Sequence, residues 1–238
     1  MPRLDVLVAK SGLAESRERA QALILAGKVR VAGETVRRPD RSVSEDAAIS
    51  VEAGPDYASR GALKLAPALD TFGVDPAGRV CADIGASTGG FTDVLLRRGA
   101  TRVYAVDVGR GLLHWRLRQD PRVVVIERVN ARELESFPEA VSLIVIDVSF
   151  IGLEKVLPAL RSAAPGAEVV ALFKPQFQVA RGEVGKGGIV RDPDAVSAAL
   201  TRMREWCMAN GYEVRAEAPS ALPGAEGNQE IFLQLMPR

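Results

Sequence analysis

Residues 80–92 of this 238-residue chain read Val-Cys-Ala-Asp-Ile-Gly-Ala-Ser-Thr-Gly-Gly-Phe-Thr, an apolar run, a glycine-rich turn and the start of a helix over 89–98. Such an order predicts a strand whose carboxyl end enters a tight turn, where glycine allows backbone to approach a ligand closely. The turn belongs to a longer alternation. A helix over 61–72 precedes strand 80–85, and strand 102–107, helix 111–118, strand 122–127, strand 141–147, helix 152–164 and strand 168–173 follow. Asp192-Pro193 then opens a long helix, proline being preorganised for the first helical position, and strands follow near 212–218 and 229–235. Alternation of this kind predicts an α/β, Rossmann-like fold whose parallel sheet is covered on both faces, with the last strand as an antiparallel hairpin partner.

The turn selects a ligand class. A dinucleotide site wants G-x-G-x-x-G with the pyrophosphate at the helix N-terminus. Here that spacing is missing, and Asp83 stands immediately before the turn. A carboxylate there repels a pyrophosphate and attracts a cation, and S-adenosylmethionine carries both an ammonium and a sulfonium. Asp107 ends the next strand, where an open α/β sheet presents an acid to the ribose hydroxyls of a nucleoside. The rival reading, in which both acids merely cap helices, is disfavoured by two acids ending successive strands around one glycine turn.

At 238 residues, the chain has room for one full core and a small appendage. In front, Leu4, Leu7 and Val8 predict a short helix stopped by Gly12. Ser16 is placed to N-cap a second helix carrying Ala20, Leu23 and Ile24, with Gly27 past its end. Strands at 28–31 and 34–37 flank an Ala32-Gly33 turn, and Ile49 and Val51 close a small α+β module. The boundaries expected are 1–53 for this module, 54–60 for a linker and 61–238 for the α/β domain. The net charge of +1 gives no global signal for nucleic acid. Residues 1–41 nevertheless hold nine Lys/Arg against five Asp/Glu, a local excess of four. Its basic residues, Arg3, Lys10, Arg17, Arg19, Lys28, Arg30, Arg37, Arg38 and Arg41, make either one binding face or a plain solvated surface.

Other chemistries find little support. Cys81 and Cys207 lack metal or disulfide spacing, and His114 is the only histidine, so a zinc site or a histidine-based triad is not expected. The N-terminus lacks a secretory pattern, and the longest apolar stretch, near 141–151, is interrupted by Asp147. A cytoplasmic location without stable membrane association is the expectation.

Ligands of open α/β sheets bind beyond the carboxyl ends of the strands. Asp147 and Lys174 each follow such an end and are expected to face one crevice beside the turn. Lys64, on the preceding helix, and Glu230, opening the last strand, are not placed by spacing alone, and a structural ion pair is the plainer reading for both. Residues 174–191 form a long, glycine-rich and basic loop, which suits a lid over a phosphate-bearing substrate or else a mobile surface loop.

The whole chain resembles the TlyA family, whose members are named both as hemolysins and as ribosomal RNA 2′-O-methyltransferases. The front unit carries the likeness to a ribosomal-protein-type RNA-binding domain in Arg-Leu-Asp-Val-Leu-Val (3–8), Gly-Leu-Ala-Glu-Ser-Arg-Glu-Arg-Ala (12–20) and Ile-Leu-Ala-Gly-Lys-Val (24–29). The remainder resembles FtsJ-like methyltransferases in Ser-Arg-Gly-Ala-Leu-Lys-Leu (59–65), Asp-Ile-Gly-Ala-Ser-Thr-Gly-Gly-Phe-Thr (83–92), Asn-Ala-Arg (130–132) and Asp-Val-Ser-Phe-Ile (147–151). It continues in Lys-Pro-Gln-Phe (174–177), Gly-Lys-Gly-Gly-Ile-Val (185–190) and Gly-Asn-Gln-Glu (227–230). Ala62, where a second glycine is expected, and residues 178–181, where an acidic continuation is expected, depart from the pattern and touch substrate-side contacts more than chemistry.

The resemblance implies methyl transfer from S-adenosylmethionine to a ribose 2′-hydroxyl, of a cytidine, in ribosomal RNA, with Lys64, Asp147, Lys174 and Glu230 as the catalytic tetrad. A ribose hydroxyl is a poor nucleophile until its proton leaves, so the residue types assign Lys174 as base, Lys64 as the cation favouring its neutral form, and Asp147 and Glu230 as orienting groups. Gly85, Ser87, Gly89, Gly90 and Asp147 are expected to shape the methionine side, with Asp83 near its ammonium. Asp107 is expected at the ribose, Asn130 or Ala131 at the adenine, and no metal. Arg3, Arg17, Arg19, Lys28 and Arg60 are the expected RNA contacts, through phosphates. The short C-terminus resembles the branch acting on the large ribosomal subunit, with the small subunit as the other possible partner. Two rivals stand beside this reading: a non-catalytic rRNA-binding assembly factor and a membrane-active hemolysin.

Overall fold

The computed structural model describes residues 1–14, 16–25, 27–51 and 57–238, without the side chains of Arg19, Ala22 and Arg181. Contacts divide the chain into two compact units, Met1–Asp56 and Tyr57–Arg238. The expected linker residues 54–56, and Ala53 before them, lie outside the described residues, whereas Tyr57 and Ala58 pack on the core of the second unit.

The first unit pairs α1 (Leu4–Lys10) and α2 (Arg17–Leu25) with β1 (Val29–Val31), β2 (Glu34–Val36) and β3 (Ile49–Val51) in an antiparallel sheet of order β2-β1-β3. Between β1 and β2 the two turn residues Ala32 and Gly33 both have positive φ, 50° and 83°, the twist a two-residue hairpin needs. Leu4, Leu7, Val8, Ala20, Ile24, Val29, Val31, Val36 and Val43 form its core. Beside that core, fully buried Asp5 accepts hydrogen bonds from Arg3 Nε and Nη2 and Arg17 Nε, each at 3.1 Å, and from Gln21 Nε2 at 2.7 Å. Arg3 and Arg17, both expected as RNA contacts, are therefore also struts that tie the two helices to one anion. About half of each arginine side chain remains exposed.

In the second unit, β4 (Val80–Ile84), β5 (Arg102–Asp107), β6 (Val123–Glu127), β7 (Leu143–Ile146) and β8 (Glu168–Phe173) run parallel, and β10 (Ile231–Pro237) is antiparallel to both β8 and β9 (Tyr212–Pro219). The order is β6-β5-β4-β7-β8-β10-β9. The chain runs from β4 outward to β6, then crosses to β7 on the other side, so the strand order reverses between β4 and β7. Their carboxyl ends frame the crevice that such a switch point creates. Separate apolar layers cover the two faces: α3 (Ala62–Phe72) and α4 (Gly90–Arg97) contribute to one, α6 (Leu157–Ala163) and α7 (Pro193–Ala209) to the other.

Two helices are shorter than the periodicity predicts. Only Trp115–Arg118 (α5) is helical in the segment 111–118, because Gly111 has φ 70° and donates its N–H to Glu127, so the chain wraps the end of β6 before His114 Nδ1 caps the helix. Over 152–164 a 3₁₀ turn at Leu153–Lys155 precedes α6, whose first turn holds Pro158. Proline has no N–H to continue a helix begun earlier.

Hydrogen bonds from two guanidinium groups hold Asp5 far below the ordinary carboxylate range, Arg3 foremost, against the opposing effect of burial. The native value lies below the unfolded one, so this stabilisation is complete above the unfolded value of about 3.9 and is lost as pH falls through the native value. Asp5→Ala is expected to destabilise the first unit by about 2 kcal/mol, read as faster amide hydrogen exchange across α1 and α2 of the full chain at neutral pH. Unchanged exchange there contradicts the strut role.

Candidate active site

The glycine turn is a steric requirement of the switch point. A Cβ on Gly85 would sit 2.5 Å from the backbone oxygen of Asp147, so only glycine lets the end of β4 pass the end of β7 this closely, and its φ of 83° suits no other residue. Gly85 and Ala86 donate to the carbonyl of Val106, fixing the turn to β5 as well. Three carboxylates converge in consequence. Asp83 ends inside the protein, accepting from Thr92 N at 2.8 Å and Thr92 Oγ1 at 2.7 Å through one oxygen, while its other oxygen is buried without a partner. Asp107 accepts from Ser87 N at 2.8 Å and Gly109 N at 2.7 Å. Asp147 follows β7 directly, its N–H bonded to Ile84 O.

Two cavities share the floor made by Gly85, Ser87 and Asp147. One, of about 230 Å³, is the more polar of the two and is lined among others by Arg60, Lys64, Asp83 and Gly90. The other, of about 300 Å³, has mainly apolar walls including Val106, Val129 and Ile151, with Asp107, Asn130 and Ala131 at its edge. Gly89 lines neither. A Cβ there would lie 2.3 Å from Leu117 Cδ1, so its glycine serves the packing of α5 and the left-handed entry to α4, at φ 93°.

The four tetrad candidates form two ion pairs. Lys64, on α3, hydrogen-bonds to Glu230 at 2.6 Å, with side chains 12% and 2% exposed. Lys174, just beyond β8, lies 2.6 Å from Asp147 Oδ1 but aims its hydrogen bond at Ser149 Oγ, 2.9 Å away. Asp147 Oδ1 thus touches a cation yet receives no aligned donor. Each lysine has a carboxylate partner. Glu230 is hemmed in: a Cβ at Gly224 would come within 2.7 Å of its Oε1.

Among the expected RNA contacts, Arg60 is exposed at the rim of the polar cavity, Lys28 is half-buried, and the Arg19 side chain lies outside the described residues. Sequence reasoning assigned no role to Ser149, Thr92, Phe150 or Asn228. Phe150 has a left-handed φ of 64°, is 89% exposed, and has its ring 5.3 Å from that of Phe177. An exposed aromatic on unfavourable backbone beside a cavity is a marker of function.

Residues 57–236 match the FtsJ-like methyltransferase family, and residues 2–49 match the S4 domain. The chain is 48% identical over 238 residues to the 16S/23S rRNA (cytidine-2′-O)-methyltransferase TlyA of Mycobacterium tuberculosis, covering 98% of this chain and 89% of the relative. It is a member of the TlyA family of FtsJ-like methyltransferases. Hemolysin A of Brachyspira hyodysenteriae is 42% identical, over 97% of this chain and 98% of its own. A Streptococcus thermophilus structure named as a hemolysin superposes with a TM-score of 0.77 at 41% identity, covering 99% of this chain and 88% of that one. Magnesium protoporphyrin IX methyltransferase of Synechocystis PCC 6803, at 12% identity and a TM-score of 0.52 over 75% of this chain and 82% of its own, shares the fold. Among the described residues of this TlyA-family chain, no helix is long and apolar enough to cross a membrane, and no group of His, Cys, Asp or Glu suits a metal.

Burial, with the nearby Asp147 and Asp107 carboxylates adding and Thr92 opposing, pushes Asp83 up to about 7. The native value is above the unfolded 3.8, so the stability it gives is complete below about pH 4 and is lost as pH rises through 7. Asp83→Asn is therefore expected to raise the melting temperature of the ligand-free protein at pH 8 relative to wild type, and not at pH 4.5. Equal shifts at both values contradict the assignment.

Proposed function

We propose that this protein methylates the 2′-hydroxyl of a cytidine ribose in ribosomal RNA, using S-adenosylmethionine. The observation that carries the reading is the pairing of Lys174 with Asp147 and Lys64 with Glu230 beside the doubled cavity at the switch point. The names of relatives support ribosomal RNA as the substrate: M. tuberculosis TlyA is named for 16S and 23S rRNA and the Campylobacter jejuni relative for 23S rRNA, and the proposal takes the shared large-subunit RNA as the preferred acceptor.

The residues present fit the cofactor. Asp83 keeps one buried oxygen unpartnered at the polar cavity, which suits an ammonium, and the apolar cavity with Asp107 and Asn130 at its edge suits a nucleoside. Gly85, Ser87 and Gly90 bring backbone close to the methionine part, and Ala131 closes the adenine side. S-adenosylmethionine supplies, when bound, a methyl group already activated on a sulfonium. What remains for the chain is to hold the ribose oxygen in line and remove its proton. Lys174 takes that proton after shedding its own, Ser149 and Asp147 fixing the direction of its amine. Lys64, held by Glu230, places a positive charge where the alkoxide develops. Arg3, Arg17 and Arg19 in the first unit, with Lys28, and Arg60 in the second, contact RNA phosphates, giving salt-dependent affinity with little sequence information.

Transfer of labelled methyl from S-adenosylmethionine is expected to large subunits or their RNA in preference to small subunits. Lys174→Ala is expected to lose at least a hundredfold in rate, general-base contributions being about 10²–10⁴, with cofactor affinity retained. The wild-type rate is expected to depend on pH, as general-base catalysis requires. No transfer to any RNA despite cofactor binding, or a rate flat from about pH 6 to 10 with chemistry limiting, contradicts the proposal and favours an assembly factor.

A further inference from the structure

Residues 174–191, expected from sequence as a lid or a mobile loop, include a segment that the fold ties down at defined points. Asn228, 3% exposed, donates from Nδ2 to Gly188 O and accepts at Oδ1 from Val190 N, both at 2.8 Å. One amide thus holds the backbone on both sides of Ile189. The turn is closed internally by Gly185 N to Ile189 O at 3.0 Å and Gly188 N to Gly185 O at 3.1 Å. A second tie runs through Glu226, whose side chain lies against Gly188 and accepts from Gln176 Nε2 at 3.3 Å.

Both ties lead to the tetrad. Asn228 is two residues before Glu230, and its carbonyl accepts from Gly224 N, the glycine packed against the Glu230 carboxylate. Gln176 is two residues after Lys174 in the 3₁₀ turn Pro175–Phe177. On the outside, Lys186 and Arg191 are exposed, and neither forms an ion pair among the described residues. Two uncommitted cations on a backbone held fast to the site make a surface matched to a polyanion. The acceptor strand supplies one, since nucleotides flanking a ribose each carry a phosphate.

We propose that residues 185–191 form a preset docking surface for the RNA backbone flanking the acceptor ribose, and that Asn228 is the positioning residue that sets it. The proposal rests on the methyltransferase reading above. Asn228 acts through the loop and touches neither cofactor nor reacting atoms. Its loss is therefore felt in RNA engagement first.

The test is steady-state and binding analysis of full-length Asn228→Ala, Lys186→Ala and the double variant. For Asn228→Ala the expected result is a KM for RNA raised about tenfold, as loss of two hydrogen bonds predicts, with kcat and S-adenosylmethionine affinity within about twofold. Lys186→Ala is expected to raise KM as well, and the double variant to lose less than the product of the two, because the cation acts only when the loop is set. Should Asn228→Ala fold poorly, Asn228→Asp keeps the acceptor for Val190 N while setting a carboxylate oxygen against Gly188 O, and the same split in KM is expected. Cofactor affinity and kcat falling together with KM, strictly multiplicative effects, or an unchanged KM overturns the proposal. A wild-type protein that methylates no RNA overturns the functional reading and this inference with it, whereas an active wild type with an unaltered Asn228→Ala overturns this inference alone.

Discussion

The close passage of β4 and β7 at their carboxyl ends is the constraint on which the rest of the second unit depends. With Gly85 against the Asp147 carbonyl, the chain brings Asp83, Asp107 and Asp147 to one crevice. Three carboxylates in so small a space repel, and the energy appears at the most buried of them. Asp83 has its value pushed up to about 7, burial being the largest cause and its two acidic neighbours adding to it. A site of this kind is incomplete as an electrostatic object. It asks for a cation, and a ligand with an ammonium answers the demand more directly than one with a pyrophosphate.

One lysine answers it in part, at Asp147. Lys174 is delivered by the next parallel strand, so that its pairing with Asp147 follows from strand order alone. Lys64 and Glu230 come from opposite ends of the second unit, 166 residues apart, and meet only because β10 inserts antiparallel beside β8. A buried ion pair is weak evidence for stability, since removing two charges from water costs several kcal/mol per ion. One member of each pair, Lys64 and Asp147, lines the more polar cavity, and the proposed function gives the pairs a use beyond fastening. The first unit shows the contrasting use. Asp5 binds two arginines and a glutamine to join helices around a small core, and leaves those arginines half in water.

Much of this was legible in the chain. Strand ends can be read from apolar runs, and the parallel order then carries Asp147 and Lys174 to one side of the sheet without any structure. The glycine turn was legible as a turn, but periodicity could not distinguish Gly85, which faces the cavity, from Gly89, which faces Leu113 and Leu117. Helix 111–118 was overdrawn because a side-chain carboxylate, Glu127, claims the N–H of Gly111, a long-range bond that local pattern does not contain. For the same reason neither Asp5 nor Asn228 carries a local signal for the partners it binds. Phe150 was unreadable for a different cause: its importance lies in an unfavourable φ, which sequence does not display. Polar groups whose partners are far away in sequence, and backbone held against its preference, are what the fold adds.

In the proposed function S-adenosylmethionine supplies the methyl group and the tetrad readies a ribose oxygen to receive it. This claim is tested most directly by digesting RNA methylated by the purified protein to nucleosides and identifying the product by mass spectrometry against standards. The account predicts 2′-O-methylcytidine. Methyl on a base atom, with the ribose unmodified, contradicts it.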